Sequence, residues 1–303
     1  MSRERAMAKG RSLRQQRSPS HLSADRTQAR IPRLQADMGC DQALKRIALE
    51  CLRHLLANTP AICEGNEAEP VHQARVAIRR LRTALAIFSP LVRGRKWKAV
   101  SGDLKWLAGI LGKARDLDVL ALETLPALQA ELRDASLAPA AAALSAARQD
   151  SRAACRVALA SRRWTALPPG LLNGLARLPA CRQPALPVLA NQSLKRQRKT
   201  VCELQAKSRH SIGQWHELRK QGKKLRYAAE FFTDLRLSRN DKRLLGKLQA
   251  LQRRLGDYND AIIGREWLLR HLAPEDMPER LEQILGRRIR LAEESLLSAE
   301  HRS

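Results

Sequence analysis

The sequence predicts an all-α protein, and three features of the 303-residue chain indicate this fold class. Hydrophobic residues form 44% of the chain, with Leu and Ala dominating, which is enough to bury a core. Arg, Lys, Gln and Glu, all good helix formers, fill most other positions, whereas β-branched residues are sparse. Glycines number only 15, and no segment alternates between apolar and polar residues as a strand would.

Two helices can be located near the start of the chain. Apolar residues recur at intervals of three and four from Cys40 onward, as in an amphipathic helix. The stripe consists of Leu44, Ile47, Ala48, Cys51, Leu52 and Leu55. A second helix is predicted from about Pro70 to Phe88, because a helix tolerates proline in its first turn and Ser89-Pro90 should end it.

Composition also divides the chain into segments. Residues 1–37 are rich in Arg and Lys and poor in large apolar residues, which predicts a flexible basic arm. The arm either adds electrostatic reach or reflects a misplaced start site. Helical halves are predicted at 38–160 and 193–303, separated by a linker at 161–192. Prolines disfavour a long helix in the linker: Pro168, Pro169, Pro179, Pro184 and Pro187.

Charge is the strongest functional signal. Lys and Arg number 56 against 30 Asp and Glu, a formal net charge of +26. Such an excess opposes compaction by self-repulsion, so it indicates a polyanionic partner rather than general solubility. Aromatic residues form only 3% of the chain, which argues against proteins that stack single-stranded bases. A nucleic-acid duplex held by phosphate contacts alone remains an alternative partner.

Cysteine usage and hydropathy favour the cytoplasm. The six cysteines contain no CxxC pair and no histidine at metal-ligand spacing, so neither a metal nor a cofactor is expected. Their scatter suits a reducing compartment. The basic N-terminus lacks the apolar region of a secretory signal, and no apolar run approaches the ~18 residues of a membrane span.

An internal repeat gives the most specific observation. Residues 71–88 align without gaps to residues 215–232, an offset of 144 residues. The matches include His72 with His216, Arg75 with Arg219, Arg79-Arg80 with Lys223-Lys224, Leu81-Arg82 with Leu225-Arg226, and Phe88 with Phe232. The offset persists through Leu104, Leu107, Leu111-Gly112 and Asp116, which match Leu248, Leu251, Leu255-Gly256 and Asp260. Two similar halves about an approximate twofold axis are therefore predicted.

The repeated helix concentrates positive charge on one face. At about 100° per residue, His72, Arg75, Arg79 and Arg82 share a band about 80° wide. In the second copy the band holds His216, Arg219, Lys223 and Arg226, with Lys220 and Tyr227 beside it. Like charges at this spacing repel, so an anion site accounts for the band better than a solvated face. Arginine forks suit phosphate oxygens, and histidines in a first turn would donate hydrogen bonds to them.

Three aspartates raise the question of catalysis. Asp116 and Asp260 follow Leu-Gly pairs that we expect to end or bend a helix, so N-capping is the favoured interpretation. Orientation of an arginine in the anion site is the alternative. Asp118 is the third aspartate. The sequence shows no Ser–His–Asp catalytic arrangement and no glycine-rich loop that could hold a phosphate, so no enzymatic activity is expected.

Four segments, in order, resemble the signatures of the CHAD domain, the conserved-histidine α-helical domain: VHQARVAIRRLR, LGKARDLDVL, WHELRKQGKKLRYAAEFF and LGDYNDAI. The resemblance spans roughly residues 40 to 298, so residues 38–303 are identified as this domain in a stand-alone form. It implies two four-helix bundles with pseudo-twofold symmetry around a basic central cleft. It also implies that the cleft binds inorganic polyphosphate and can carry proteins to polyphosphate granules.

The resemblance further implies which residues contact polyphosphate. They are His72, Arg75, Arg79, Arg82, His216, Arg219, Lys223 and Arg226, with Arg80, Lys224 and Tyr227 as neighbours, and with Lys195, Arg198 and Lys199 in the basic helix before the third signature. Lys220-Gln221-Gly222 departs from the apolar or small residues usual there. The expected function is non-catalytic polyphosphate binding. Alternatives are charge-driven nucleic-acid binding and a phosphohydrolase that uses the paired histidines.

Overall fold

The computed structural model describes residues 27–132, 137–206, 211–235, 239–273, 278 and 280–300 of the chain. Within these ranges all regular secondary structure is helical, which confirms the predicted all-α class. None of the described helices combines the length and apolar character that a membrane-spanning segment needs.

The first part of the chain contains helices α1 Cys40–Glu64, α2 Ala68–Ile87, α3 Arg95–Val119, a π-helical turn Leu120–Thr124, α4 Leu125–Leu132, α5 Ala138–Ala160 and α6 Arg162–Ala176. The second part contains α7 Leu186–Gln205, α8 Ile212–Phe231, a 3₁₀ turn Thr233–Leu235, α9 Arg239–His271 and α10 Leu281–Glu300. Helix α2 packs against α1, α3 and α8, and α8 packs against α7 and α9 as well.

The first two helices follow the sequence pattern closely. All six residues of the predicted stripe in α1 are buried, and α1 packs along α2. Helix α2 begins two residues before Pro70 and ends one residue before Phe88, so both predicted bounds are confirmed within the usual scatter of helix ends.

The N-terminus of α8 is fixed by a reciprocal cap. The Ser211 hydroxyl accepts a hydrogen bond from the Gln214 backbone N–H at 3.3 Å, and the Gln214 side chain accepts one from the Ser211 N–H at 2.8 Å. This capping box satisfies two backbone donors that the helix cannot pair internally. It sets where α8 starts and therefore which of its residues face α2.

Residues from both halves of the chain share one continuous hydrophobic core. This core includes residues of α1, α2, α3 and α5 to α10, and the repeat-equivalent Phe88 and Phe232 rings lie 6.4 Å apart within it. A smaller cluster forms where the end of α3, α4 and the start of α5 meet the end of α9 and the start of α10. Helices α2 and α8 pack against each other within this shared core.

The predicted flexibility of the basic arm does not extend to residues 27–37. Backbone carbonyls of Thr27, Gln28, Arg30 and Arg33 accept hydrogen bonds from side chains of α1 and α2, namely Asn58, Arg53, Arg80 and Arg46. Leu34 is also buried against the core. Residues 27–37 therefore follow the helical surface, because polar side chains pair their backbone. The rest of the predicted arm, residues 1–26, lies outside the described residues.

The predicted linker is also shorter than the proline content suggested. Helix α6 continues through Pro168 and Pro169, and the irregular connection comprises only residues 177–185. Two prolines remove two helical hydrogen bonds, which normally ends a helix. Here the buried face of α6, formed by Trp164, Leu167, Leu171 and Leu175, packs into the core and offsets that loss.

Candidate anion-binding site

A cavity of about 640 Å³ lies where α2 meets α8, with α3 forming part of its wall. Most of its polar lining is cationic and comes from both copies of the repeat. Helix α2 contributes Arg75, Arg79, Arg82 and Thr83, α3 contributes Lys105, and α8 contributes His216, Arg219, Lys220, Lys223, Lys224 and Tyr227. Eight of the residues implicated by sequence therefore meet at one cavity.

Amphipathic packing explains why these side chains converge. The apolar face of α2 is buried through Ala74, Ile78 and Leu81, and that of α8 is buried through Leu218 and Leu225. Because each basic band lies on the opposite side of its helix from these residues, burying the apolar faces turns both bands toward the same space. The cavity is thus a consequence of the repeated pattern and of α2 packing against α8.

Burial and mutual repulsion both disfavour positive charge in the cavity. Burial first, and then the charges of Arg79 and Arg219, lowers the pKa of the Lys223 amine to about 6. Burial and the charge of Arg79 likewise lower the pKa of Arg75 to about 10. Burial also lowers the pKa of Arg219. A negatively charged ligand would relieve both the desolvation and the repulsion.

The carboxylate of Asp116 lies beside this cluster and is not a helix cap. Asp116 lies inside α3 and Asp260 inside α9, so the predicted N-capping role is wrong for both. The Arg75 Nη2 is 3.8 Å from the Asp116 Oδ1, which agrees with the alternative that an aspartate orients an arginine. Burial raises the pKa of Asp116, and the charge of Asp260 raises it further, while Arg75 opposes both effects.

The contacts of Gly112 explain why Leu111-Gly112 does not end a helix, as the sequence had suggested. A Cβ atom at this position would lie 2.5 Å from the Arg75 Nη1, so the glycine makes room for the guanidinium. It does not end α3, which continues to Val119. Asp118, further along the helix, is fully buried and pairs with Arg152 at 2.6 Å and with Arg148 at 3.1 Å. This carboxylate ties α3 to α5 and does not line the cavity.

Two of the implicated arginines bind a carboxylate instead of facing the cavity. Arg80 is buried, pairs with Glu230 of α8, and lies over the rings of Tyr227 and Phe231. Arg226 lies 3.7 Å from the same Glu230 and 5.0 Å from the Tyr227 ring centre. Arg80, which the resemblance implied as a neighbour of the contact residues, uses its charge to join α2 to α8. Glu230 was not recognised from the sequence, since it matches Ala86 in the repeat.

The two repeat-equivalent histidines, His72 and His216, occupy different surroundings. His216 lines the cavity, whereas His72 is half-buried outside it, and burial followed by the charge of Arg115 lowers the pKa of His72. Each histidine is the fifth residue of its helix, beyond the amides that lack an intrahelical partner. The expected help from first-turn amides is therefore corrected for both, and only their side chains remain candidates for anion contact.

The basic residues of α7 lie elsewhere. Lys195 and Lys199 are exposed, Arg198 is half-buried, and none of the three lines the cavity. Lys199 lies 3.7 Å from Glu203 in the next turn of the same helix. Sequence reasoning conversely missed Lys105 and Thr83, which do line the cavity. Lys105 matches Gln249 in the repeat, so the register gave no signal for it.

Comparison with known proteins identifies similar domains. A model of the CHAD domain family matches residues 46–269. Among solved structures, the CHAD domain from the plant Ricinus communis is 28% identical, with a TM-score of 0.73 over 90% of this chain and 96% of that one. PptA from Streptomyces chartreusis has a similar fold at 17% identity, with a TM-score of 0.65 over 86% of this chain and 99% of the other. No curated protein sequence gives a significant match.

Proposed function

Because the chain belongs to the CHAD domain family, we propose that it binds inorganic polyphosphate, without catalysis, in the cavity between α2, α3 and α8. One observation carries the proposal: cationic side chains from both repeats line a single cavity with few carboxylates among them. The motifs imply polyphosphate as the ligand of this family. The charge and shape of the cavity suit such a ligand.

Polyphosphate is a flexible chain with negative charge on every unit, so it can follow a surface that has many weakly paired cations. Arg75, Arg79 and Arg219 can each offer two parallel N–H donors to phosphate oxygens, and Lys223 adds a compact charge. Binding would raise the pKa of Lys223 from its low value by supplying the missing counter-charge. Release of small counterions from the polyanion supplies much of the driving force.

The arrangement of the halves fits an approximate twofold axis through the site. Helices α2 and α8 are repeat equivalents and pack together, as do α3 and α9. Phe88 contacts Phe232, and Asp116 interacts electrostatically with Asp260. Each of these pairs joins a residue to its own repeat equivalent, which is the behaviour expected near a symmetry axis. We infer two four-helix bundles, α1, α2, α3 and α5 against α7 to α10, that share a basic cleft.

A reversal of charge in the cavity tests the binding site. The double variant Arg79→Glu with Lys223→Glu should lose polyphosphate binding, measured by fluorescence anisotropy of a labelled chain, while circular dichroism stays helical. The matched control is Lys98→Glu with Arg177→Glu, which makes the same change in formal charge at exposed positions outside the cavity. Equal loss in both variants would mean that general charge, and not the cavity, binds the ligand.

Competition and turnover separate the remaining functions. Excess duplex DNA should displace little polyphosphate if the cavity selects a thin, flexible chain, whereas complete displacement would indicate a general polyanion surface.

No orthophosphate should be released from polyphosphate over hours at 37 °C. Release that disappears in His216→Ala would replace the binding proposal with a phosphohydrolase. In cells, a fluorescent fusion should localise to polyphosphate granules and become diffuse when the granules are absent.

A further inference from the structure

Two cysteines distant in sequence lie side by side in the fold. Cys40 starts α1, and Cys181 lies in the connection between α6 and α7. The Cys40 backbone N–H donates to the Cys181 carbonyl at 2.7 Å, and the Cys181 N–H donates to the Asp41 Oδ1 at 3.0 Å. Gly39 permits this approach, because a Cβ there would lie 3.1 Å from the Cys181 carbonyl oxygen and 2.7 Å from the Asp41 Oδ1.

The two thiols also point toward the same short segment. The Cys40 Sγ is 3.3 Å from the Pro184 carbonyl oxygen, and the Cys181 Sγ is 3.2 Å from the Gln183 carbonyl oxygen. Because Gln183 and Pro184 are adjacent residues, these two contacts bring both sulfurs to neighbouring carbonyl groups. Residues joined by a direct backbone hydrogen bond have Cα atoms within roughly the 4.4–6.8 Å that disulfides span. Position and side-chain direction therefore both suit a covalent link.

We propose that Cys40 and Cys181 form a reversible disulfide when the protein meets a peroxide. The Cys181 thiolate attacks one peroxide oxygen, which breaks the O–O bond and gives a sulfenic acid and hydroxide. The Cys40 sulfur then attacks the Cys181 sulfur, expels its hydroxyl group and loses a proton. In total, two thiols and one hydrogen peroxide give one disulfide and two waters.

Burial sets the order of the two steps. Cys181 is partly exposed and can be reached by peroxide, whereas Cys40 is 1% exposed. Burial raises the pKa of Cys40 to about 11, so its thiol stays protonated and attacks slowly. A Cys181 sulfenic acid should consequently accumulate before the bond closes. The link closes a loop of about 140 residues, which stabilises the folded chain by restricting the unfolded one.

Peptide mapping tests the proposal on the full-length protein. Purified protein is treated with hydrogen peroxide, blocked with an alkylating reagent under denaturing conditions, and digested without reduction. We expect one cross-linked peptide pair that contains Cys40 and Cys181 and that separates on addition of dithiothreitol. The melting temperature of the oxidised protein should rise by several degrees and return to its starting value after reduction.

Two cysteine variants, Cys181→Ser and its control Cys202→Ser, test which thiols form the bond. Cys181→Ser should abolish both the cross-link and the peroxide-dependent rise in melting temperature. Cys202→Ser, at an exposed position on α7, should retain both. The proposal fails if wild-type Cys40 remains fully alkylated after peroxide treatment, or if Cys181 proceeds to sulfinic acid without a cross-link. It also fails if the only disulfides found join Cys202 to another molecule.

Discussion

Arg80 and Arg82 lie two residues apart in α2, but they differ in burial and in the groups that they contact. Arg80 is 4% exposed and pairs with Glu230, whereas Arg82 is exposed and lines the cavity. At about 100° per residue, Arg82 lies at one edge of the basic band, whereas Arg80 lies about 80° beyond the opposite edge, which His72 forms. The angular position therefore separates the two arginines better than the motif does.

Truncating each arginine should accordingly affect different measurements. Arg80→Ala leaves Glu230 without its closest partner and should lower the free energy of unfolding by about 3 kcal/mol, measured by urea denaturation. Polyphosphate affinity of the protein that remains folded should change little. Arg82→Ala should change stability by less than about 0.5 kcal/mol and weaken binding several-fold. A reversed pattern would place Arg80 in the binding site.

Lys223 provides a pH-dependent prediction at the same scale. Its pKa is about 6 in the folded protein and 10.5 ordinarily, so the unfolded chain binds more protons between these values. The free energy of unfolding should therefore rise with pH across that window, and this rise should be smaller in Lys223→Met. Comparison of the two proteins by urea denaturation at pH 6.5 and 9 isolates the contribution of this one amine.

Binding should show the opposite pH dependence. A polyanion raises the pKa of Lys223, so binding above about pH 6 takes up a proton and affinity falls as pH rises. Calorimetry in two buffers of different ionisation enthalpy measures this proton uptake directly. Long polyphosphate chains should be used, because they have few terminal phosphates that could also take up protons. Lys224→Met, at the exposed neighbouring position, should retain the uptake, whereas Lys223→Met should lose it. Equal uptake in both variants would exclude Lys223 as its source.

At the scale of helices, the repeat register was the most informative part of the sequence. It identified α2 and α8 as equivalents, and their basic faces meet at one cavity. Local signals were less reliable because tertiary packing overrode them. Two prolines did not end α6, and Leu111-Gly112 did not end α3. Neither outcome could be read from the sequence, because each depends on a partner helix: the core that buries α6, and Arg75 beside Gly112.

Two helical glycines should therefore respond differently to alanine. At Gly222 of α8, an added Cβ would meet Gln252 and Leu248 at 3.6 to 3.9 Å, which is ordinary contact. Gly222→Ala should raise the free energy of unfolding by up to about 1 kcal/mol through helix propensity, with unchanged polyphosphate affinity. Gly112→Ala should displace the Arg75 guanidinium and weaken binding several-fold. Urea denaturation and anisotropy on both variants separate these effects.

The repeat equivalent of Gly112 supplies a control. A Cβ at Gly256 would lie 4.0 Å from the Arg219 Nη2, so Gly256→Ala should leave that arginine in place. Weakened binding in Gly112→Ala but not in Gly256→Ala would support a specific role for Arg75. Equal effects would instead point to a general change in how α3 and α9 pack.

At the scale of the whole molecule, a net charge of +26 has to be reconciled with a folded core. Several carboxylates of the described helices tie one helix to another: Asp118 joins α3 to α5, Glu230 joins α2 to α8, and Glu131 joins α4 to α10. Among the described residues, no carboxylate lines the cavity in which the cations of both halves meet. The free protein therefore keeps repulsive energy that salt or a polyanion can reduce.

Salt should consequently have opposite effects on the free protein and on its complex. Raising the salt concentration from 50 to 300 mM should increase the melting temperature of the free protein by screening repulsion, and should weaken polyphosphate binding. For single-stranded nucleic acids the logarithm of affinity falls linearly against the logarithm of salt, with a slope of about −0.7 per neutralised phosphate, and we expect a linear fall for polyphosphate as well. Two variants that each remove one positive charge test where the phosphates bind. The salt dependence of binding should have a shallower slope in Arg79→Gln than in Lys98→Gln, because only Arg79 lines the cavity. Identical slopes would mean that polyphosphate spreads over the whole basic surface and that the cavity has no special share in binding it.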